Sequence, residues 1–281
     1  MQVLHSIAEC KHWRAAQKGS LGFVPTMGAL HEGHLSLVRL SKEHCSQTLV
    51  SIFVNPAQFA PHEDFDLYPK TAKQDLKYLA GEKVDAVFIP SVNEIYKKNK
   101  EDYFFQTNLA YKLEGKSRPH FFKGVTTVVH KLFSIVNPTH AVFGKKDAQQ
   151  LLIIKKMIQK KQYGIALIEA PIIRAAGGLA LSSRNGYLTD QDQNIANNIY
   201  MGLKKIKGAL ESGEHSSRVL KLLFKNHLKT FPDLKIDYIS IACTKTLDEV
   251  EGAINTAVLI SAAVFLRDVR LIDNFTYFPS T

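Results

Sequence analysis

Residues 22–54 read GFVPTMGALHEGHLSLVRLSKEHCSQTLVSIFV. Gly22 to Pro25 closes an apolar run, HLSLVRLSKEHC has helical spacing, and TLVSIFV is a second apolar, β-branched run. The switch from a continuous apolar run to a 3.6-residue period and back predicts strand, loop, helix, strand. The same alternation continues downstream. KTAKQDLKYLAGE (70–82) has helical spacing through Leu76 and Leu79, VDAVFIP (84–90) is a third strand and HAVFG (140–144) a fourth. LLIIKKMIQKKQ (151–162) is a helix with a basic outer face. Near-continuous apolar strands between helices predict an α/β fold whose parallel sheet is covered on both faces. Ligands in such folds sit at the carboxyl ends of strands.

After about Arg174 the pattern changes. Residues 190–230 read as two helices, IANNIYMGLKKIKGAL (195–210) being the clearest. KIDYISIA (235–242) and AVLISAAVFL (257–266) read as strands, the second paired with VRLID (269–273). This predicts a first domain over 1–174 and a smaller α+β domain over 175–281. The joint is expected in the Gly- and Ser-rich stretch 172–186. The chain shows no internal repeat and no low-complexity tract.

The chain has 281 residues, 45% hydrophobic, with 16 glycines, which excludes collagen-like and disordered classes. Lys and Arg outnumber Asp and Glu 36 to 26, a net charge of +10 that favours anionic ligands without choosing among them. The basic residues Lys155, Lys156, Lys160 and Lys161 lie on a helix face without interleaved aromatics. That is a solvated face, so no nucleic-acid partner is expected. Cys10, Cys45 and Cys243 are an odd count without metal-like spacing, so reduced thiols in a cytoplasmic protein are expected. No segment approaches the ~18 apolar residues of a membrane span, and MQVLHSIAECKHWRAAQKGS has no signal-peptide core.

Four motifs fall at expected strand ends. The first runs from Pro25 through Met27, Gly28, Ala29, Leu30, His31, Glu32 and Gly33 to His34. Its glycines allow close backbone approach, and the following helix N-terminus offers a positive dipole to an anion. Two imidazoles on one helical turn suit a polyphosphate whose charge grows during substitution. Taken alone, an H-x-x-H pair is more often incidental, and a metal site lacks an evident third ligand. Gly28 and Gly33 have phosphate-loop spacing, but His34 and Leu35 replace the Lys and Ser/Thr that loop needs. The second is VNPAQF (54–59), where Asn55 and Gln58 offer amides to hydroxyls or a carboxylate, or simply form a turn. The third is GKKDAQQ (144–150), in which Lys145 and Lys146 supply charge, Asp147 suits a ribose hydroxyl or Mg²⁺, and Gln150 suits a polar substrate. An exposed loop capped by Asp147 explains it equally well. The fourth is GLALSSRN (178–185), two hydroxyls and a guanidinium that can clamp phosphate, or a common loop composition. All four recur at strand ends, each with phosphate- or hydroxyl-binding groups.

PTMGALHEGH, VNPAQF, GKKDAQQ, GLALSSRNGYLT and the terminal VRLIDN, in this order, resemble the pantothenate synthetase (pantoate–β-alanine ligase) family from about Phe23 to Asn274. The resemblance implies a Rossmann-like N-terminal domain, a smaller C-terminal lid and a cytoplasmic homodimer. It implies a reaction using ATP and Mg²⁺: pantoate attacks the α-phosphate, and β-alanine then attacks the acyl carbon of pantoyl adenylate. Carried over, Met27 through His34 line the ATP site, with His34 as the acid and His31 beside it. Gln58 binds pantoate near β-alanine, and Gln150 binds pantoate. Gly144, Lys145, Lys146 and Asp147 bind ATP, with Lys146 on the phosphates and Asp147 on ribose. Ile173 meets adenine through its backbone, and Leu181, Ser182, Ser183 and Arg184 close on the triphosphate. Asp75 is a weaker candidate near the metal. The catalytic set is thus His34, His31, Lys146 and Arg184.

Two departures stand out. The family usually reads R-P-G-H-F-x-G-V where this chain has Arg118-Pro119-His120-Phe121-Phe122-Lys123-Gly124-Val125. A bulky His120 in place of Gly is expected to shift a loop over the nucleotide. Gly177-Gly178-Leu179 replaces Asp-Gly-Leu, and the lost carboxylate is expected to loosen the lid or weaken a supporting contact. Both bear on efficiency rather than reaction type. Two other readings fit the residues: a nucleotidyltransferase that stops at an adenylylated or cytidylylated product, and a nucleotide- or nucleic-acid-binding protein without turnover.

Overall fold

The computed structural model describes residues 1–61, 63–96 and 104–279. In the first part, strand β1 (Gln2–Leu4) leads through helix α1 (Ile7–Ala16) to β2 (Leu21–Thr26), α2 (Glu32–His44) and β3 (Gln47–Ile52). Helix α3 (Ala72–Gly81), β4 (Ala86–Phe88) and the single turns α4 (Val92–Ile95) and α5 (Glu114–Ser117) follow. Then come α6 (Phe121–Val136), β5 (His140–Gly144), α7 (Ala148–Lys161) and β6 (Ala166–Ala170). The strands form one parallel sheet in the order β1-β4-β3-β2-β5-β6. Parallel strands need helical crossovers, which cover both faces and bury the strands. Val24, Leu49, Val50, Val87 and Val142 are at most 1% exposed for this reason.

The chain order reverses across β2, which pairs with β3 on one side and β5 on the other. A reversal of this kind opens a crevice outside the strand carboxyl ends. Loops following β2, β3 and β5 carry three of the four motifs.

The second part contains α8 (Asp190–Glu211), α9 (Ser217–Lys229) and an antiparallel sheet of β7 (Leu234–Cys243), β8 (Val258–Leu266) and β9 (Val269–Tyr277), in that order. Its core joins Ile199, Leu203 and Ile206 of α8 to Phe224 of α9 and Ile260 and Val264 of β8. The chain divides into two compact units, Met1–Lys145 with Gln149–Pro171, and Lys146–Ala148 with Ile172–Thr281. The α/β class, the parallel sheet and the smaller α+β part agree with the sequence reading.

Several elements differ from it. Helix α2 starts at Glu32, not His34, because the His31 side chain caps it. His120 lies in the short turn 118–120 between α5 and α6. His120 is the residue before α6, with Phe121 as the first helical position. Helix α6 was not read from the sequence: Phe122, Val125, Val128, Val129, Leu132 and Phe133 are buried, while Lys123, His130 and Ser134 form a more exposed polar stripe at helical spacing. Strands β1 and β6 lie at the two edges of the sheet and are only partly buried, so neither carries the unbroken apolar run of the central strands.

Candidate active site

In the first unit the loop after β2 turns through two left-handed residues, Gly28 (φ 81°) and Ala29 (φ 50°). Such a turn is strained for Ala and must be held by its surroundings. Asp75 holds it. This carboxylate, 1% exposed, accepts the N–H of Ala29 at 3.0 Å and of Leu30 at 2.9 Å, and the Thr71 hydroxyl at 3.1 Å. Thr71 and Asp75 are four apart at the start of α3, so the helix delivers both to one face.

The loop then enters α2 with His31 as N-cap. His31 Nδ1 accepts the Gly33 N–H at 3.1 Å, and His34 Nδ1 accepts the His31 N–H at 3.4 Å. With Nδ1 engaged as the acceptor in both rings, Nε2 is the nitrogen left to donate. The rings lie side by side, centroids 4.1 Å apart. The sequence reading put both histidines on one helical turn; in the structure only His34 is helical, and the reciprocal caps bring the rings together. Glu32 points elsewhere: hydrogen bonding by Arg39 pulls its carboxyl below the usual range.

The loop after β3 meets this one. Gln58 Nε2 donates to Met27 Sδ at 2.8 Å. Beneath it Asn55, 1% exposed, receives the Tyr96 hydroxyl at 2.7 Å and donates to Gln58 Oε1 and to the Gly124 carbonyl, each at 3.1 Å. Asn55 is thus a bracket under Gln58. Helix α6 approaches so closely that a Cβ on Gly124 would lie 2.2 Å from the Ala57 carbonyl oxygen. Arg118 donates to the Gln58 carbonyl at 3.3 Å and grips Glu63 at 2.7 and 2.6 Å, while its guanidinium sits 4.0 Å above the Phe121 ring. Phe121, one of the two residues that depart from the family pattern here, therefore supports Arg118 by a cation–π contact. At the end of β5, Gly144 leads to Lys145, whose ammonium lies 3.9 Å from Glu169. Gln150 is partly exposed at the start of α7, whereas Gln149 is buried and donates to the Leu109 and Lys112 carbonyls, each at 2.7 Å.

In the second unit Asn274 donates to the Lys146 carbonyl at 2.7 Å. Lys146 Nζ lies 3.9 Å from Asp147. Residues 173–181 form a hairpin in which Leu181 N–H bonds the Ile173 carbonyl and Ala175 N–H bonds the Leu179 carbonyl, both at 2.9 Å. Its tip is a tight turn ending in left-handed Gly178 (φ 98°), a three-residue connection with glycine where positive φ is required. Ser182 follows as an N-cap, its hydroxyl accepting the Arg184 N–H at 3.3 Å. Arg174 at the hairpin base pairs with Asp273, 4% exposed, at 2.5 and 2.8 Å.

Residues 2–276 match the profile of the family described as pantoate-beta-alanine ligase. A pantothenate synthetase of Thermosipho africanus is 47% identical over 98% of this chain and 99% of its own length. That of Fervidobacterium nodosum is 46% identical over 98% of each. Among solved structures, the pantothenate synthetase of Thermus thermophilus superposes with a TM-score of 0.93 at 34% identity, covering 99% of this chain and all of that one. The pantoate-beta-alanine ligase of Francisella tularensis, solved with beta-gamma ATP and beta-alanine, gives 0.80 at 35% identity, covering 98% and 97%.

This chain belongs to the pantoate-beta-alanine ligase family. It is therefore an enzyme of the ligase class. Sequence reasoning missed the contacts that hold these loops in place. Asn55 was recognised only as an amide, Gly124 only as part of a motif, and Asp273 and Asn274 only as a terminal signature. Their signal is visible only when partners far apart in sequence are brought together. Among the described residues, no group of three or more His, Cys, Asp or Glu is arranged to hold a metal ion.

Proposed function

We propose that the ligase condenses pantoate with β-alanine, using ATP, to give pantothenate, AMP and pyrophosphate. The contact between Gln58 and Met27 carries this reading: it joins the amide expected to bind pantoate to the loop expected to bind ATP. A carboxylate is a poor acyl donor because oxide is a poor leaving group. Attack of a pantoate oxygen on the α-phosphorus expels pyrophosphate and leaves an acyl adenylate. The β-alanine amine then attacks the acyl carbon, loses a proton, and AMP departs.

The first step is largely positioning and charge neutralisation. The Nε2–H donors of His31 and His34, at the positive end of α2, suit phosphate oxygens. His34 is assigned the acid role. Met27 to His34, Gly144 to Asp147, the Ile173 backbone and Leu181 to Arg184 are assigned to ATP, with Lys146 and Arg184 on phosphates. Gln58 and Gln150 are assigned to pantoate. The nucleotide and pantoate functions are assigned chiefly to 1–174, with 175–281 as the smaller lid part, in a cytoplasmic homodimer.

Magnesium is expected with ATP. The residues present do not form a cage for it: the Asp75 oxygens are taken by two N–H groups and a hydroxyl. Magnesium held mainly by substrate phosphates and water fits this donor set.

AMP release, measured with ATP, pantoate and β-alanine each omitted in turn, tests the proposal. AMP that requires all three is expected, and His34→Ala should lower kcat by about 100-fold or more. AMP formation without pantoate, or an unaffected His34→Ala enzyme, would overturn the reaction or the assignment.

A further inference from the structure

We propose that Asn197 is a positioning residue for Leu181–Arg184, acting through the hairpin 173–181. This rests on the assignment of Leu181–Arg184 to ATP. Asn197 and Tyr200 are three apart on α8 and share a face. Asn197 Oδ1 accepts the Leu179 N–H at 3.2 Å. Its amide also fills the space beside the turn, where a Cβ on Gly177 would lie 2.1 Å from Asn197 Nδ2. Tyr200 packs against Gly178, and the Arg174 guanidinium lies 4.0 Å above the Tyr200 ring. Arg174 in turn bonds the Gly178 carbonyl at 3.0 Å as well as Asp273. The hairpin is therefore fixed at its base by Arg174 and at its tip by Asn197. Leu181, two residues beyond Leu179, begins the segment assigned to phosphate.

An Asp or Asn in a turn commonly accepts the N–H two residues ahead of itself. Two residues before Leu179 stands Gly177, which has no side chain to do so. Asn197 supplies that acceptor from a distant helix, and in doing so its amide occupies the space a side chain at 177 would need. The pair Gly177 and Asn197 is thus one solution to a local hydrogen-bonding demand, and an acid at 177 with a small residue at 197 is the other. The lost carboxylate at 177 is compensated, and the expectation of a loosened lid loses its physical basis.

The test is a substitution cycle read as ATP KM, ATP dissociation constant by calorimetry, and pantoate KM. Asn197→Ala should raise ATP KM and Kd about tenfold, the equivalent of one buried hydrogen bond, with pantoate KM unchanged. Asn197→Asp keeps the acceptor and should stay within threefold of the parent. Gly177→Asp alone should weaken ATP binding because its Cβ meets the Asn197 amide. In the Asn197→Ala background the same change should restore it. An unchanged ATP KM in Asn197→Ala, or Gly177→Asp being harmful in both backgrounds, would overturn the proposal. Arg184→Ala tests the underlying assignment separately: an unaltered ATP KM there would remove Leu181–Arg184 from the nucleotide site.

Discussion

Replacing Gly124 by Ala should damage pantoate use more than ATP use. The added Cβ would stand 2.2 Å from the Ala57 carbonyl oxygen and 2.6 Å from the Gln58 nitrogen. Both are backbone atoms, so no side chain can swing aside. Ordinary contact starts near 3.4 Å, so α6 and the turn must separate by about 1.2 Å, enough to lose the Asn55–Gly124 hydrogen bond. Overpacking of this kind costs about 1–3 kcal/mol, which lowers Tm by roughly 2–8 °C. Gln58 moves with its turn, and an error near 1 Å in a positioning group costs about 100-fold. We therefore expect kcat/KM for pantoate to fall about 100-fold, with the ATP KM within about threefold. Steady-state AMP release with each substrate varied, alongside thermal unfolding, measures both. Gly81→Ala is the control: a Cβ there meets nothing within 4 Å, and a gain of about 0.4–1 kcal/mol is expected. A Gly124→Ala enzyme that loses stability but keeps pantoate kcat/KM within threefold would refute the coupling of α6 to Gln58.

Asp75→Ala leaves the N–H groups of Ala29 and Leu30 without their acceptor, at about 1–3 kcal/mol each. Chemical denaturation should rank Ala below Asn below the parent, ATP KM should rise in the same order, and the magnesium concentration for half-maximal rate should stay constant. A shift in that concentration would instead put Asp75 on the metal. His130 and His227 are held below the usual imidazole range, first by burial and then by nearby lysines, Lys161 for His130 and Lys205 for His227. The unfolded chain therefore takes up protons that the folded one refuses. The stability contributed is present above about pH 6.5 and is lost as pH falls toward the lowered folded values. Urea midpoints between about pH 7.5 and 5 should fall in the parent and flatten in a His130→Gln/His227→Gln double variant; identical slopes would count against this account.

The order of apolar runs and amphipathic stretches was enough to read an α/β sheet followed by a smaller α+β part. Burial on both faces writes itself into a strand as an unbroken apolar run. The motifs assigned to ligands under the proposed function were also picked out, because loops at strand ends carry polar groups that a fold alone does not require. Helix α6 was missed although Lys123, His130 and Ser134 mark a polar side at helical spacing; the long apolar run around them drew no helix reading. The supports of the site were invisible for a different reason. Asp75 under Ala29, Gly124 against Ala57, Asp273 on Arg174 and Asn197 at Leu179 are contacts between residues 18 to 99 positions apart. Local pattern carries propensity and burial, both set by near neighbours. Which distant backbone N–H an Asp or Asn will satisfy, and where a missing Cβ lets two elements touch, is decided only when the chain has closed on itself.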